Sequence, residues 1–366
     1  MRRKLHVLLT SVGGLGVPKL VESLRTEADF DLTITGVDAG TDPIGAHFVD
    51  SYFRVPYASE AGYAETLLDV CRKGGVEIVV PGSDGEAVAL AQAEPTFAAA
   101  GIRVLCSPYE TARVAANKYR FMCHLRDRGV PVPAFHLVRT ASDAEAALGQ
   151  LGFPERPVAF KPVDSAGARG FRIVCSEFDE LRHILHSKKE VLLSAARLLR
   201  LLEESPDVPE FLLMEYLQGD SFSTEVLVRD GRAAYIIPQR RVVPQHGSIE
   251  VAVLEQDVEI DRCVDRILAA LPFRYLVNID VAFRRAPREG GVLPYDINPR
   301  PSAIVSATKA AGCFLLAEAA RDAVGMKSIP KRLRPTRMAR YWNEHYAVED
   351  RGTSPGEQLV ASESAP

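Results

Sequence analysis

The order of apolar segments predicts an α/β layer with a parallel sheet, joined to an α+β part built from runs of short strands. Three observations carry this. Up to about residue 110 an apolar strand, a Gly-containing turn and an amphipathic helix repeat, which implies a parallel sheet covered on both faces. From Ala134 onward short strands follow one another with few helices. Between the two lies VPVPAF, after Gly129. It is an extended linker, because each proline also restricts the residue before it.

The elements follow in order along the chain. KLHVLLTSVGGLGVPKLVESLR reads as strand, glycine turn and helix. LTITGVDAG is a second strand with Asp38 at its end. Ala64 to Lys73 is helical and closes at Gly74 and Gly75. VEIVVPGSDGEAVALA reads as strand, turn and helix, with Asp84 and Glu86 at the turn, and IRVLCSP is a further strand. A helix carries Asn117 and Lys118. PVAFKPV and FRIVCS are short strands around a loop, and a helix-rich insert runs from Phe178 to Glu204. FLLMEYL, SFSTEVLV and AAYIIPQRRVV read as strands. After a helix at Asp261 to Leu271 come LVNIDVAFRR and GVLPYDINPR, a strand pair. The stretch from about Gly352 is small and polar, and a disordered tail over 352–366 is expected. There is no internal repeat.

At 366 residues, a prior of about 150 residues per domain gives two or three domains. Hydrophobic residues make up 47% and charged residues 25%, an ordinary globular composition. A formal net charge of −4 and a pI of about 6.1 argue against nucleic-acid and membrane-surface binding, which favour a basic face. The six cysteines are scattered without C-x-x-C pairs. That predicts reduced thiols in a cytoplasmic protein, with no disulfide frame or zinc site. The basic, then apolar N-terminus is too short in its apolar run for a signal peptide and reads as the first strand.

Three stretches bear chemistry. In PYDINPR, Asp296, Asn298 and Arg300 fall on one parity, so in a strand they share a face. With Asp280 of LVNIDVAF they make an oxygen-only set of the kind magnesium takes, next to a cation able to meet developing negative charge. The alternative is a structural Arg300–Asp296 ion pair. In FKPVDSAGARGFRIV, Lys161 ends a strand before a small-residue loop whose backbone N–H groups suit phosphate. The alternative is a hairpin with a surface lysine. In LLMEYLQGDSFSTEVLV, a segment at Glu215, Tyr216 and Leu217 that crosses between two sheets would offer its backbone to an adenine edge, with Met214 and Leu217 against the ring. The alternative is an ordinary hairpin with Glu215 and Glu225 in solvent.

Taken together these motifs resemble the ATP-grasp superfamily, and within it the carbamoyl-phosphate-synthase-like branch that includes carboxylate–amine ligases. The resemblance covers roughly residues 1 to 325, and the acidic-x-N-P-R end is its most specific part. It implies a pre-grasp α/β domain over 1–130, a small lid subdomain over 131–210 and a C-terminal grasp subdomain over 211–335, with ATP between the last two. It implies Lys118 and Lys161 as phosphate-binding cations. Ser165, Ala166, Gly167 and Gly170 match the flexible phosphate loop, and Glu215, Tyr216 and Leu217 the adenine hinge. Asp280 and Asp296 match the metal carboxylates, Asn298 the second-metal amide and Arg300 the substrate-side arginine.

Some positions depart from the family pattern. Ser221 stands where many members have a ribose-binding Glu, and Glu225 is the candidate to replace it. Asp296 replaces the usual Glu, and Asp280 the usual Glu or Gln. PSAIVSATK lacks the second arginine of carbamoyl-phosphate synthases.

The implied activity is amide-bond formation between a small carboxylate and an amine through an acyl phosphate, with release of ADP and phosphate. The implied cofactors are ATP and two Mg2+ ions, with Mn2+ as a substitute, and a homodimer is expected by analogy. Arg300, Lys161 and Arg240 are the candidate catalytic residues, Arg240 as a bidentate clamp on a carboxylate. A solvated edge pair is the alternative for Arg240 and Arg241. His246 is a candidate base, and the Ser83 to Glu86 turn faces an acceptor site or caps its helix. Two readings compete with the ligase: transfer of the acyl or carboxy phosphate to another nucleophile, and a nucleotide-binding regulator without turnover.

Overall fold

The computed structural model describes residues 2–164, 170–176, 178–186, 191–205, 207–243, 249–328 and 330–346. Three sheets organise them. The first contains β1 (Arg3–Leu9), β2 (Phe30–Asp38), β3 (Ser51–Arg54), β4 (Ile78–Val80) and β5 (Arg103–Val104), in the order β3-β2-β1-β4-β5. Every pairing is parallel. Helices Val17–Arg25, Tyr63–Gly74 and Asp84–Ala99 connect the strands, as a parallel sheet requires. The strand order reverses between β1 and β4, so their carboxyl ends open a crevice of the kind that holds ligands in such sheets. The backbone closes tightly there. A Cβ on Gly82 would stand 2.3 Å from the Thr10 carbonyl oxygen.

The second sheet contains β6 (Phe135–Val138), β7 (Val158–Pro162), β8 (Arg172–Cys175), β9 (Leu192–Ser194) and β10 (Phe211–Glu215), in the order β6-β10-β7-β8-β9. The third contains β11 (Ser221–Arg229), β12 (Arg232–Val243), β13 (Val251–Leu254), β14 (Tyr275–Arg285), β15 (Glu289–Asn298) and β16 (Thr336–Ala339), in the order β15-β14-β11-β12-β13-β16. All its pairings are antiparallel. FLLME therefore completes the second sheet, although the sequence reading starts the third part at Phe211. Its partners are β6 and β7, and Gln218 to Asp220 cross to the third sheet. They do not close a hairpin.

Apolar residues place the layers. Helix Val258–Ala270 buries Ile260, Val264 and Ile267 against Phe222, Val277 and Ile279 of the third sheet, and helix Lys118–Asp127 adds Phe121, Met122 and Leu125 to the same core. Helix Leu315–Ala323 joins the first sheet to the third, since Leu315 and Leu316 share a core with Leu5, Val7, Leu227 and Leu276. All six cysteines are free thiols. Among the described residues no helix is long and apolar enough to cross a membrane.

Candidate active site

A cavity of about 630 Å³ is lined by residues of both the second and the third sheet. Its floor is a cross-strand ladder. Asp280 of β14 pairs with Asp296 of β15, and Asn278 with Asn298. Directly paired residues share a face of the sheet, so two carboxylates and two amides meet. Asn298 Nδ2 donates to Asn278 Oδ1 at 3.1 Å, and Asn278 Nδ2 donates to Ser223 Oγ at 3.0 Å. The amides are thereby fixed as supports for the acids. Arg241 donates to Asp280 Oδ2 at 2.6 Å, while Asp280 Oδ1 is buried with no hydrogen-bond partner. A buried carboxylate oxygen in that state is costly unless something binds it. No group of three or more His, Cys, Asp or Glu able to hold a metal occurs among the described residues. The oxygen set is thus two carboxylates and an amide, which fits a magnesium ion that draws its remaining ligands from phosphate and water.

Cations surround this floor. Asn117 caps helix Lys118–Asp127, accepting from Arg120 N at 2.9 Å, and so places Lys118 in its first turn. Lys118 Nζ lies 3.7 Å from Asp296 Oδ1. Lys161, in β7, is buried. Its Nζ donates to the Tyr295 carbonyl at 2.9 Å and sits 4.2 Å from the Tyr295 ring centre. Burial pulls its pKa down to about 8, with Asp296 opposing. Arg300 Nη2 donates to Asn298 Oδ1 at 3.1 Å, and its Nε lies 3.0 Å from Asp84 Oδ1. Asp84 opens the helix after β4, at the first sheet's crevice. Burial pushes its carboxyl up, and Arg300 opposes this. In the same crevice Thr10, Ser11 and Ser83 all donate to Glu86 Oε2, at 2.7, 2.6 and 2.9 Å. The alternative of an Arg300–Asp296 ion pair gives way to an Arg300–Asp84 pair between layers. Glu215, Tyr216 and Leu217 line the cavity, and the crossing behind them is tied to β14 by Gly219 N to Phe283 O at 3.1 Å.

Two sequence-derived positions are corrected. Arg240 faces away from the cavity. On β12 it has the opposite parity to Gln239 and Arg241, and it donates to Glu255 at 3.0 Å beside Arg288 and Asp220. Its neighbour Arg241 lines the cavity. Glu225 is 0% exposed. It lies one cross-strand pair deeper than Asp280, opposite Asn278. Its Oε1 accepts from Ser302 N at 2.9 Å, so Ser302 seals it from any ribose. Gly170 holds a left-handed φ of +77°, with Pro162 where a Cβ would be. Ser165, Ala166, Gly167, His246 and the 352–366 tail lie outside the described residues.

Sequence reasoning missed Asn278, although it stands two residues before Asp280 on the same parity. It also missed Arg340, which has no local signal and lines the cavity from the end of β16.

The family model described as ATP-grasp in the biosynthetic pathway with Ter operon matches residues 207–344, and the PylC-like N-terminal domain matches residues 7–105. The carbamoyl phosphate synthase large chain of Methanothermobacter thermautotrophicus is 27% identical over 240 residues, 63% of this chain and 21% of that one. The chain thus spans about a fifth of that relative's length. The D-alanine–D-alanine ligase of Delftia acidovorans is 25% identical over 191 residues, 48% of this chain and 52% of that one. N5-carboxyaminoimidazole synthetase from Staphylococcus aureus, solved with ADP, superposes with a TM-score of 0.66 at 14% identity, covering 93% of this chain and 83% of that one. Residues 207–344 thus match an ATP-grasp family, and the chain is similar in sequence to carbamoyl phosphate synthase large chains and in fold to N5-carboxyaminoimidazole synthetase.

Proposed function

We propose that the chain is an ATP-dependent ligase that joins a carboxylate to an amine. The observation that carries this reading is the Asp280–Asp296 and Asn278–Asn298 ladder facing Lys118, Lys161 and Arg300 in one cavity. Asp280, Asp296 and Asn298 would hold Mg2+, which when bound neutralises phosphate charge and polarises the transferring phosphoryl group. Lys118 and Lys161 supply cations for the phosphates. The backbone of Glu215 to Leu217 meets the adenine edge, with Met214 beside it.

The chemistry runs in two steps. The substrate carboxylate attacks the γ-phosphorus of ATP and ADP departs, leaving an acyl phosphate. The amine then attacks the acyl carbon and phosphate departs, its proton passing to solvent or a base. No cysteine lines the cavity, and no covalent nucleophile is required of the protein. Its task is to position the groups and to balance their charge. Arg300 faces the transferring phosphoryl group, and Asp84 holds it from the first sheet.

The test is ADP release from Mg-ATP with pooled amino acids and small carboxylic acids. Release should depend on one pool, and Asp296→Asn should lower it by about a hundredfold or more while the fold is kept. Full activity with normal magnesium dependence in that variant would overturn the reading. Release that depends on bicarbonate alone would replace it with carboxyl transfer.

A further inference from the structure

Among the described residues, one arginine of the cavity has no carboxylate to neutralise it. Arg241 pairs with Asp280 and Arg300 with Asp84. Arg340 lines the same cavity, and among the described residues no carboxylate pairs with it. Its one side-chain hydrogen bond goes from Nη2 to the Ala303 carbonyl at 3.3 Å. Burial alone acts on its guanidinium, pulling its pKa down, with no acidic group to offset this. A half-buried guanidinium has five donors, and one carbonyl leaves most of them unused. The remaining donors are open to the cavity, where a carboxylate can accept two of them side by side.

The fold fixes where that ligand sits. Arg340 directly follows β16, and its backbone N–H donates to the Glu250 carbonyl at 2.7 Å. Its guanidinium is held at Ala303, three residues beyond Arg300. Ile249 precedes Glu250 and Ile304 follows Ala303, and both line the cavity. The guanidinium therefore rests against the loop that carries Arg300, in a cavity that Ile249 and Ile304 help to line.

From this we infer that Arg340 docks a spectator carboxylate, one that is not phosphorylated, on a small substrate with a partly apolar body. The reacting carboxylate must face the phosphates beside Arg300 and Asp296, so a second anionic group on the acid or on the amine is what remains for Arg340. This rests on the ligase reading for the word substrate, but the carboxylate site itself stands on geometry alone. It narrows the substrate class to amino acids and dicarboxylates over simple monoacids and simple amines.

The experiment uses the full chain loaded with Mg-ADP and a panel of L-leucine, L-alanine, L-glutamate and succinate, each beside its carboxamide counterpart. Binding is read by thermal shift and calorimetry, and turnover by ADP release from Mg-ATP. At least one acid should bind, and its carboxamide counterpart should not. Arg340→Gln should weaken that acid by about tenfold or more, since a charge-assisted pair is lost. Arg340→Lys should recover part of the loss, and ATP affinity should be unchanged in both variants. Where turnover is seen, the loss should fall on KM, with kcat within about threefold. The inference is overturned if no acid on the panel binds the wild-type protein, if Arg340→Gln binds the acid normally, or if it loses ATP and acid equally. Acid binding that depends on Arg340, without any ADP release, would sink the ligase reading and leave the carboxylate site standing.

Discussion

Strand parity decides which of two adjacent arginines can act. Arg240 and Arg241 look equivalent in IIPQRRVVP, yet successive side chains in a strand point to opposite faces. Arg241 reaches Asp280, and Arg240 joins Glu255 on the far side. Lys161 shows how burial sets a charge. Its pKa of about 8 lies below the ordinary lysine value because the ammonium has little water around it. The unfolded chain holds that proton to higher pH, so the buried charge is a stability cost present below about pH 8 and relieved as pH rises through and above it. Its effect on ATP has the opposite sense. Above about pH 8 the ligand-free protein loses the cation, and ATP affinity should fall by up to about tenfold per pH unit. Arg in place of Lys161 stays charged, so Lys161→Arg should flatten this limb in an ATP titration across pH. A limb that survives in the variant would assign it to another group.

At the scale of elements, the crossing from β10 to β11 matters most. Gly219 has no room for a side chain. A Cβ there would lie 2.5 Å from the Arg285 carbonyl oxygen and 2.6 Å from Phe283 Cβ. The neighbouring Asp220 N–H donates to the Pro287 carbonyl at 2.8 Å, so the crossing is clamped on both sides. Gly219→Ala must push the segment off β14. Overpacking of this kind costs about 1–3 kcal/mol. The variant should melt at a lower temperature and bind ATP about tenfold more weakly, because Glu215 to Leu217 move with the crossing. ATP affinity equal to wild type would separate the crossing from the nucleotide site. The β14–β15 ladder was legible from parity alone. The membership of β10 in the second sheet was not, since a Gly-containing turn between two apolar strands reads as a hairpin whichever sheets they join.

Across the whole molecule, the first sheet and the third are held in register by apolar packing and by charged contacts, among them a knot at Arg321. Arg321, in helix Leu315–Ala323, is buried and reaches Glu318 at 2.7 Å, Asp29 at 2.7 Å and Glu27 at 3.1 Å. Glu27 and Asp29 belong to the segment leading into β2, so this arginine ties the C-terminal layer to the N-terminal one. Arg321→Ala would leave the buried Glu318 with Arg229, at 3.4 Å, as its cation and the Ser328 hydroxyl as a neutral donor. Removing one member of a buried ion network costs about 3–5 kcal/mol. Denaturant unfolding of the full chain should show a loss of that size, and a loss below about 1 kcal/mol would show that the apolar interface alone holds the layers. This docking also brings Asp84 to Arg300, so a fault at Arg321 should disturb the site from a distance.

What the sequence determined by itself is local. Alternation of apolar and polar residues marks most strands, and the 2.0 and 3.6 periods assign faces. Within one strand or one hairpin that is enough to bring Asp280, Asp296, Asn298 and Arg300 together. It is also enough to separate Arg240 from Arg241 once the direction of β12 is known. The tertiary structure alone decided which layers meet. Asp84 is 216 positions from Arg300 in the chain, and Arg340 enters the cavity from a strand that follows the N-P-R motif. No periodicity links such residues, because the contacts arise from how whole sheets bury their apolar faces against one another. Glu225 marks the same limit in depth. Parity gives its face, but only the packing of Ser302 over it decides that it is sealed from the cavity.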